Sequence, residues 1–135
     1  DLVARKLMDG GDAAFALLDE IEFFAEKSRR ICPTLGEPLW DATESLREAT
    51  EWMLEQKDLN TRFAGAVPYL MAFGRVLGGY AHLRASMAVK NKGPRARLAK
   101  IYMTRRLPEH IGLLAEARAG DGDLYLLSAD ELAGL

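Results

Sequence analysis

Residues 59–108 contain neither Asp nor Glu, although the chain of 135 residues carries 20 acids. Within this window, Phe63 to Gly74 is a run of twelve residues without a charge. The run is too apolar for a solvent-facing helix, and shorter than the ~18–20 residues that a membrane-spanning helix needs. Whatever the chain folds into must cover it. The same fold must also place the ten Lys and Arg side chains of the window.

The rest of the chain has the opposite charge. Residues 1–58 carry 14 acids and 7 bases, and residues 109–135 carry 6 acids and 1 base. The net charge of −2 therefore conceals segments of −7, +10 and −5. Two arrangements can follow. Basic helices lie beside acidic ones and the charge cancels across the pairs, or the bases form a surface that meets a negative partner. The cancelling arrangement is the favoured expectation.

The length fits one domain with one core. Cys32 is the single cysteine, so no internal disulfide forms, and a reducing cytoplasm is the expected location. No signal-peptide pattern is visible at the start. The chain opens at Asp1 with Leu2, Val3, Leu7 and Met8 already in helical spacing. Residues 1–9 are therefore expected to be the end of a preceding helix or a linker, and the whole to be cut from something longer.

Ala, Leu, Glu, Arg and Met dominate, and no segment alternates with period two. An all-α domain over residues 10–135 is predicted, as an antiparallel up-and-down four-helix bundle. The first helix runs from about Asp12, its cap, to Arg30, with Ala14, Leu17, Leu18, Ile21, Phe24 and Ala25 inside. Residues 32–36 break it. The second starts near Pro38 and continues to about Lys57, with a seam of Leu39, Ala42, Leu46, Ala49 and Met53. The third, capped by Asp58 or Asn60, reaches about Lys90 and bends at Pro68. The fourth spans about Arg95 to Ala119, bends at Pro108, and points Leu98, Ile101, Tyr102, Leu107, Ile111, Leu114 and Ala115 inward. Ser128 and Glu131 have the spacing of a capping box. Glycine costs about 1 kcal/mol against alanine in a helix. Gly65, Gly74 and Gly78, together with Pro68, are therefore expected at positions of close helix packing.

Catalytic constellations are missing. A dimetal bundle needs Glu three residues before each histidine, and Gly79 and Leu107 stand there instead. Two histidines and one cysteine do not make a zinc site. His110 is expected on a charged face, solvated or hydrogen-bonded, and His82 on a flank reaching solvent or a carboxylate. Cys32, before Pro33, has no activating histidine nearby. Gly74 to Gly79 matches neither a dinucleotide fingerprint nor a P-loop. Trp40 and Trp52 are core or interface residues. No catalytic, cofactor-binding or metal-binding residue is assigned. Lys90, Lys92, Arg95 and Arg97 surround a turn and a helix N-terminus, where amide groups and cations can hold a phosphate. They form the one candidate anion contact. Single-stranded nucleic acid is disfavoured, because residues 81–101 lack interleaved aromatics.

One resemblance adds to this reading. The pattern Ala66-x-x-Tyr69-Leu70, then Phe73-Gly74-x-Val76-x-x-Gly79, resembles the C-terminal helical extension of one branch of the acyl-CoA dehydrogenase superfamily. That branch includes the dehydrogenase acting on methylmercaptopropionyl-CoA. Lys100 to Pro108, ending in Leu107-Pro108, and the tail from Asp121 to Leu132 are similar as well. The resemblance spans residues 10–132. It implies a parent enzyme that carries FAD and removes hydrogens across the α,β carbons of an acyl-CoA. Its catalytic Glu would lie ahead of this extension, so neither that Glu nor any flavin contact maps onto this chain. The domain would be a non-catalytic cap on the dehydrogenase core of the same polypeptide or on a neighbouring subunit of a homo-oligomer. The competing expectation is an independent module that binds an anionic partner, such as nucleic acid, through residues 84–106.

Overall fold

The computed structural model describes residues 11–135, the side chains of residues 124 and 125 excepted. The helix end expected over residues 1–8 lies outside the described residues. Among those described there is no strand. The elements are α1 (Asp12–Ile31), α2 (Pro33–Glu55), α3 (Leu59–Ala88), α4 (Gly93–Arg105), α5 (Glu109–Ala117), a 3₁₀ turn (Gly122–Tyr125) and α6 (Ala129–Ala133).

Cys32 alone separates α1 from α2. The second helix starts at Pro33 and not near Pro38, so the expected five-residue break is one residue long. Pro33 fits the first helical position because its missing N–H has no partner there anyway. Pro38 lies inside α2, where it cannot donate to the Thr34 carbonyl. The junction is tight. A Cβ on Gly36 would run into the backbone of Ser28 and Arg29. At the other end, Leu54 lies beside Gly11, so α1 and α2 run in opposite directions. Gly11, with φ of 76°, is the N-cap of α1, and Asp12 is its first residue, contrary to the capping role expected of Asp12.

The Leu39, Ala42, Leu46, Ala49 and Met53 seam of α2 is fully buried. It meets Leu18, Ile21 and Ala25 of α1 and Ala72, Val76 and Leu83 of α3 in one core. Each such Leu contributes roughly 1.5–3 kcal/mol by leaving water. Ser28, Thr43 and Thr50 are buried too, and each hydroxyl donates to the carbonyl four residues back, at 2.7–2.8 Å. The Thr50 and Tyr69 hydroxyls are 2.6 Å apart and tie α2 to α3. Burial pushes the Tyr69 phenol up, and the Thr50 bond only partly offsets this. Asp58 caps α3 by accepting from the Asn60 amide at 2.9 Å.

The expected fourth helix is two helices. Arg106, Leu107 and Pro108 form a turn, in which the Arg106 and Leu107 amides both donate to the Tyr102 carbonyl. Pro108 has no N–H to carry the ladder on. Part of the expected inner face is overturned, because the buried positions follow a different helical row from the one expected. Leu98, Ile101, Ile111 and Ala115 are exposed, while Ala99, Met103, Leu107, Leu114 and Ala117 are buried. Both pieces pack on α3, α4 through Tyr102 against Gly78 and α5 through Ala117 against Gly65. The capping box at the start of α6 is present, with both Ser128–Glu131 bonds at 3.1 Å.

Candidate functional site

The turn between α3 and α4 has an unusual backbone. Lys90 and Asn91 both have φ of 56°, in the left-handed region that non-glycine residues rarely enter. Asn91 accounts for this. Its amide donates to the Ser86 carbonyl, its side-chain oxygen accepts from the Ser86 hydroxyl, both at 2.8 Å, and its NH₂ points at Met87 sulfur. α4 then starts with Lys92 as N-cap, without a side-chain cap bond. Lys90, Lys92, Arg95 and Arg97 are all exposed. Arg97 lines a cleft of about 280 Å³, where it is joined by Lys100, Asn91 and the Cys32–Leu35 junction.

Ion pairing keeps residues 11–58 apart from the basic window. The acids of α1 and α2 are met by bases of the same two helices: Arg47 holds Asp19 and Glu22, each at 2.7 Å, and Glu26 takes Arg29 and Arg30 at 2.7 and 2.8 Å. In the basic window, Arg75 and Arg106 share Glu109 at 3.0 and 3.3 Å. Among the described residues, no ion pair joins residues 59–108 to residues 11–58. The expected cancellation across helix pairs is therefore corrected: residues 11–58 pair among themselves, and the pairs of the basic window go to Glu109. Lys90, Lys92, Arg95, Arg97, Lys100 and Arg105 have no ion-pair partner among the described residues. Slight desolvation raises the Glu109 carboxyl, but bonds from Arg75 and Arg106 outweigh it and hold the group below its usual range. Glu44 is shifted the other way, first by burial and then by the facing Glu22 carboxyl.

The packing residues divide. At Gly65 a Cβ would meet the Ala117 carbonyl, and at Gly78 it would displace the Tyr102 hydroxyl, which donates to the Arg75 carbonyl at 2.7 Å. Pro68 is buried. Gly74 does not fit its expected role, since nothing lies within 4 Å of its Cβ position. It sits in an exposed row on α3 with Phe63, Val67, Leu70, Met71 and Leu77. The uncharged run is therefore covered on one side only.

Of the histidines, His110 is hydrogen-bonded as expected but is not on an exposed face. His110 is buried, and its Nδ1 donates to the Leu107 carbonyl at 2.6 Å, so it closes the α4–α5 turn and does not face solvent. His82 is half-buried, with its ring 4.7 Å from that of Tyr102, and meets no carboxylate. Trp40 packs against the core under the Arg29 guanidinium, 4.1 Å away, and Trp52 is also half-buried. Among the described residues no three His, Cys, Asp or Glu side chains converge as a metal site. No helix among them is long and apolar enough to cross a membrane. Sequence reasoning missed Gly36, and only its place just after a proline start could have marked it.

A family model described as acetyl-CoA dehydrogenase C-terminal like matches residues 17–128. The chain belongs to this family. In this C-terminal dehydrogenase domain the match runs from within α1 to the cap of α6, so it covers the helical core and not one motif. Comparisons with curated proteins and with solved structures return no match.

A cleft of about 330 Å³ between α1 and α2 is lined by Asp19, Glu22 and Glu26 beside Phe23 and Trp40, and its carboxylates would repel a diphosphate. Two further clefts among the described residues, of about 280 and 250 Å³, are below the usual range for ligand pockets.

Proposed function

We propose that this chain is the non-catalytic packing and interaction domain of an FAD-dependent acyl-CoA dehydrogenase, whose parent reaction is α,β-dehydrogenation of an acyl-CoA thioester. The family match carries the proposal. The uncovered apolar row on α3 supports an interaction role, because a contiguous apolar patch on a folded domain marks a surface made to be covered. In this reading the flavin and the acyl-CoA are held by the dehydrogenase core of the same polypeptide, in the cytoplasm and in a homo-oligomer. The domain is an antiparallel up-and-down bundle in which α4 and α5 share the fourth position and α3 bends at Pro68. Removing the domain from the full-length enzyme should lower oligomer stability or dehydrogenase activity. No change in either would sink the reading. A flavin dehydrogenase core in the reading frame upstream of Asp1 is its simplest check.

A second reading rests on the six cations without ion-pair partners. They would contact an anionic partner, nucleic acid included, through residues 84–106. That reading requires affinity that falls steeply with salt, with a log–log slope near −0.9 per phosphate neutralised on duplex DNA. Binding that is absent at low salt removes it.

A further inference from the structure

The row left open on α3 has a regular spacing. Phe63, Val67, Leu70, Gly74, Leu77 and Ala81 follow one another at intervals of four, three, four, three and four residues. All six are exposed, with Phe63 at 55%, Val67 at 65% and Leu77 at 37% of their full accessibility. Such a 3.5-residue repeat presents a straight seam to another helix that carries the same repeat. Leu59 and Met71 widen it. Together the large side chains leave on the order of 600 Å² uncovered, which approaches the ~600–800 Å² per partner of a specific interface.

We infer that the occupant of this seam is the α3 helix of a second copy of the chain. Three observations favour it. The first is area, since the row is already close to what a stable dimer buries. The second is charge. Placing the seam residues at the two core positions of the repeat puts Ala64, Met71 and Gly78 on one flank and Ala66, Phe73 and Tyr80 on the other, with no charged residue among them. Two copies therefore meet without like-charge repulsion, and between Arg62 and Arg75 the helix carries no charge at all. The third is Gly74, whose Cβ position is empty, so a partner backbone can come close there. The inference rests on the interaction-domain reading and names the surface and the partner.

The test is sedimentation equilibrium of this chain and two variants. The wild type should self-associate at micromolar concentration. Val67→Glu should weaken association at least about a hundred-fold, because it buries an unpaired charge at the seam. Its helical circular dichroism and melting temperature should be retained, since Val67 is exposed and is not a member of the buried cluster. Phe23→Glu, at an exposed apolar position on α1, should leave association unchanged. If Val67→Glu fails to fold, Met71→Lys, which is also exposed on α3, takes its place with the same expectation. A monomeric wild type, or equal behaviour of the seam and α1 variants, overturns the inference. So does a monomeric chain that binds a separately produced dehydrogenase core in a Val67-dependent way, and that result would leave the interaction-domain reading standing.

Discussion

The two sides of α3 are built from the same kinds of residue and have opposite surroundings. Its inner side brings Gly65, Tyr69, Ala72, Val76, Gly79 and Leu83 against α2, α4 and α5. Its outer side shows Phe63, Val67, Leu70, Gly74 and Leu77 to solvent. Composition does not distinguish them; each has glycine, large aliphatics and an aromatic. What differs is the presence of a neighbour. An apolar helix can therefore be half core and half interface, and only the fold says which half is which.

The comparison is sharpest for leucine. Leu83→Ala should cost about 2–5 kcal/mol in chemical denaturation, because a fully buried side chain leaves a cavity. Leu77→Ala should cost well under about 1 kcal/mol in the isolated chain. Equal costs would break the division between the two sides. The glycines should respond with opposite signs. Gly65→Ala drives a methyl into the Ala117 carbonyl and should destabilise by about 1–3 kcal/mol. Gly74→Ala meets open space and should stabilise by up to about 1 kcal/mol, a rise of several degrees in melting temperature. A smaller effect belongs to the inner polar contact. Tyr69→Phe removes the bond to Thr50 and should cost about 1 kcal/mol, as Thr50 keeps the Leu46 carbonyl. The smallest concerns Glu109, whose carboxyl is held low by Arg75 and Arg106. Its contribution is complete above the ordinary carboxylate value of 4.5 and disappears as pH falls through the lowered one. The stability difference between wild type and Glu109→Gln, followed by denaturation from pH 7 downward, should therefore shrink in acid and not grow.

Much of this fold is legible in the sequence because burial on α1 and α2 follows a simple helical period. Leu39, Ala42, Leu46, Ala49 and Met53 are visible as a seam without any structure. The Ser128–Glu131 cap is equally plain, because its chemistry is local. Legibility fails where a local rule competes with a contact distant in sequence. Pro38 looks like a helix start, yet Pro33 fills that role because α1 approaches closely at Gly36. Pro108 looks like a bend within one helix, but a turn stands there, and the buried row runs through Met103, Leu107, His110 and Leu114, which leaves Ile111 outside. Buried hydroxyls such as Thr43 and Ser28 satisfy themselves on their own helix, so hydropathy does not announce them. The basic turn was readable as a cluster in sequence. That Arg97, of the four, lines the cleft beside the Cys32 joint is a contact distant in sequence.

The single-residue joint at Cys32 has a consequence in time as well as in space. Closing a loop costs less entropy the shorter it is, and no other helix pair here is joined by so few residues. The α1–α2 hairpin is thus the earliest tertiary contact open to the unfolded chain. A Gly36→Ala variant should slow refolding about as much as it lowers stability, giving a φ-value near one, whereas Gly65→Ala should act mainly by speeding unfolding. One of the places where the helices touch most closely would then also be the place where folding starts.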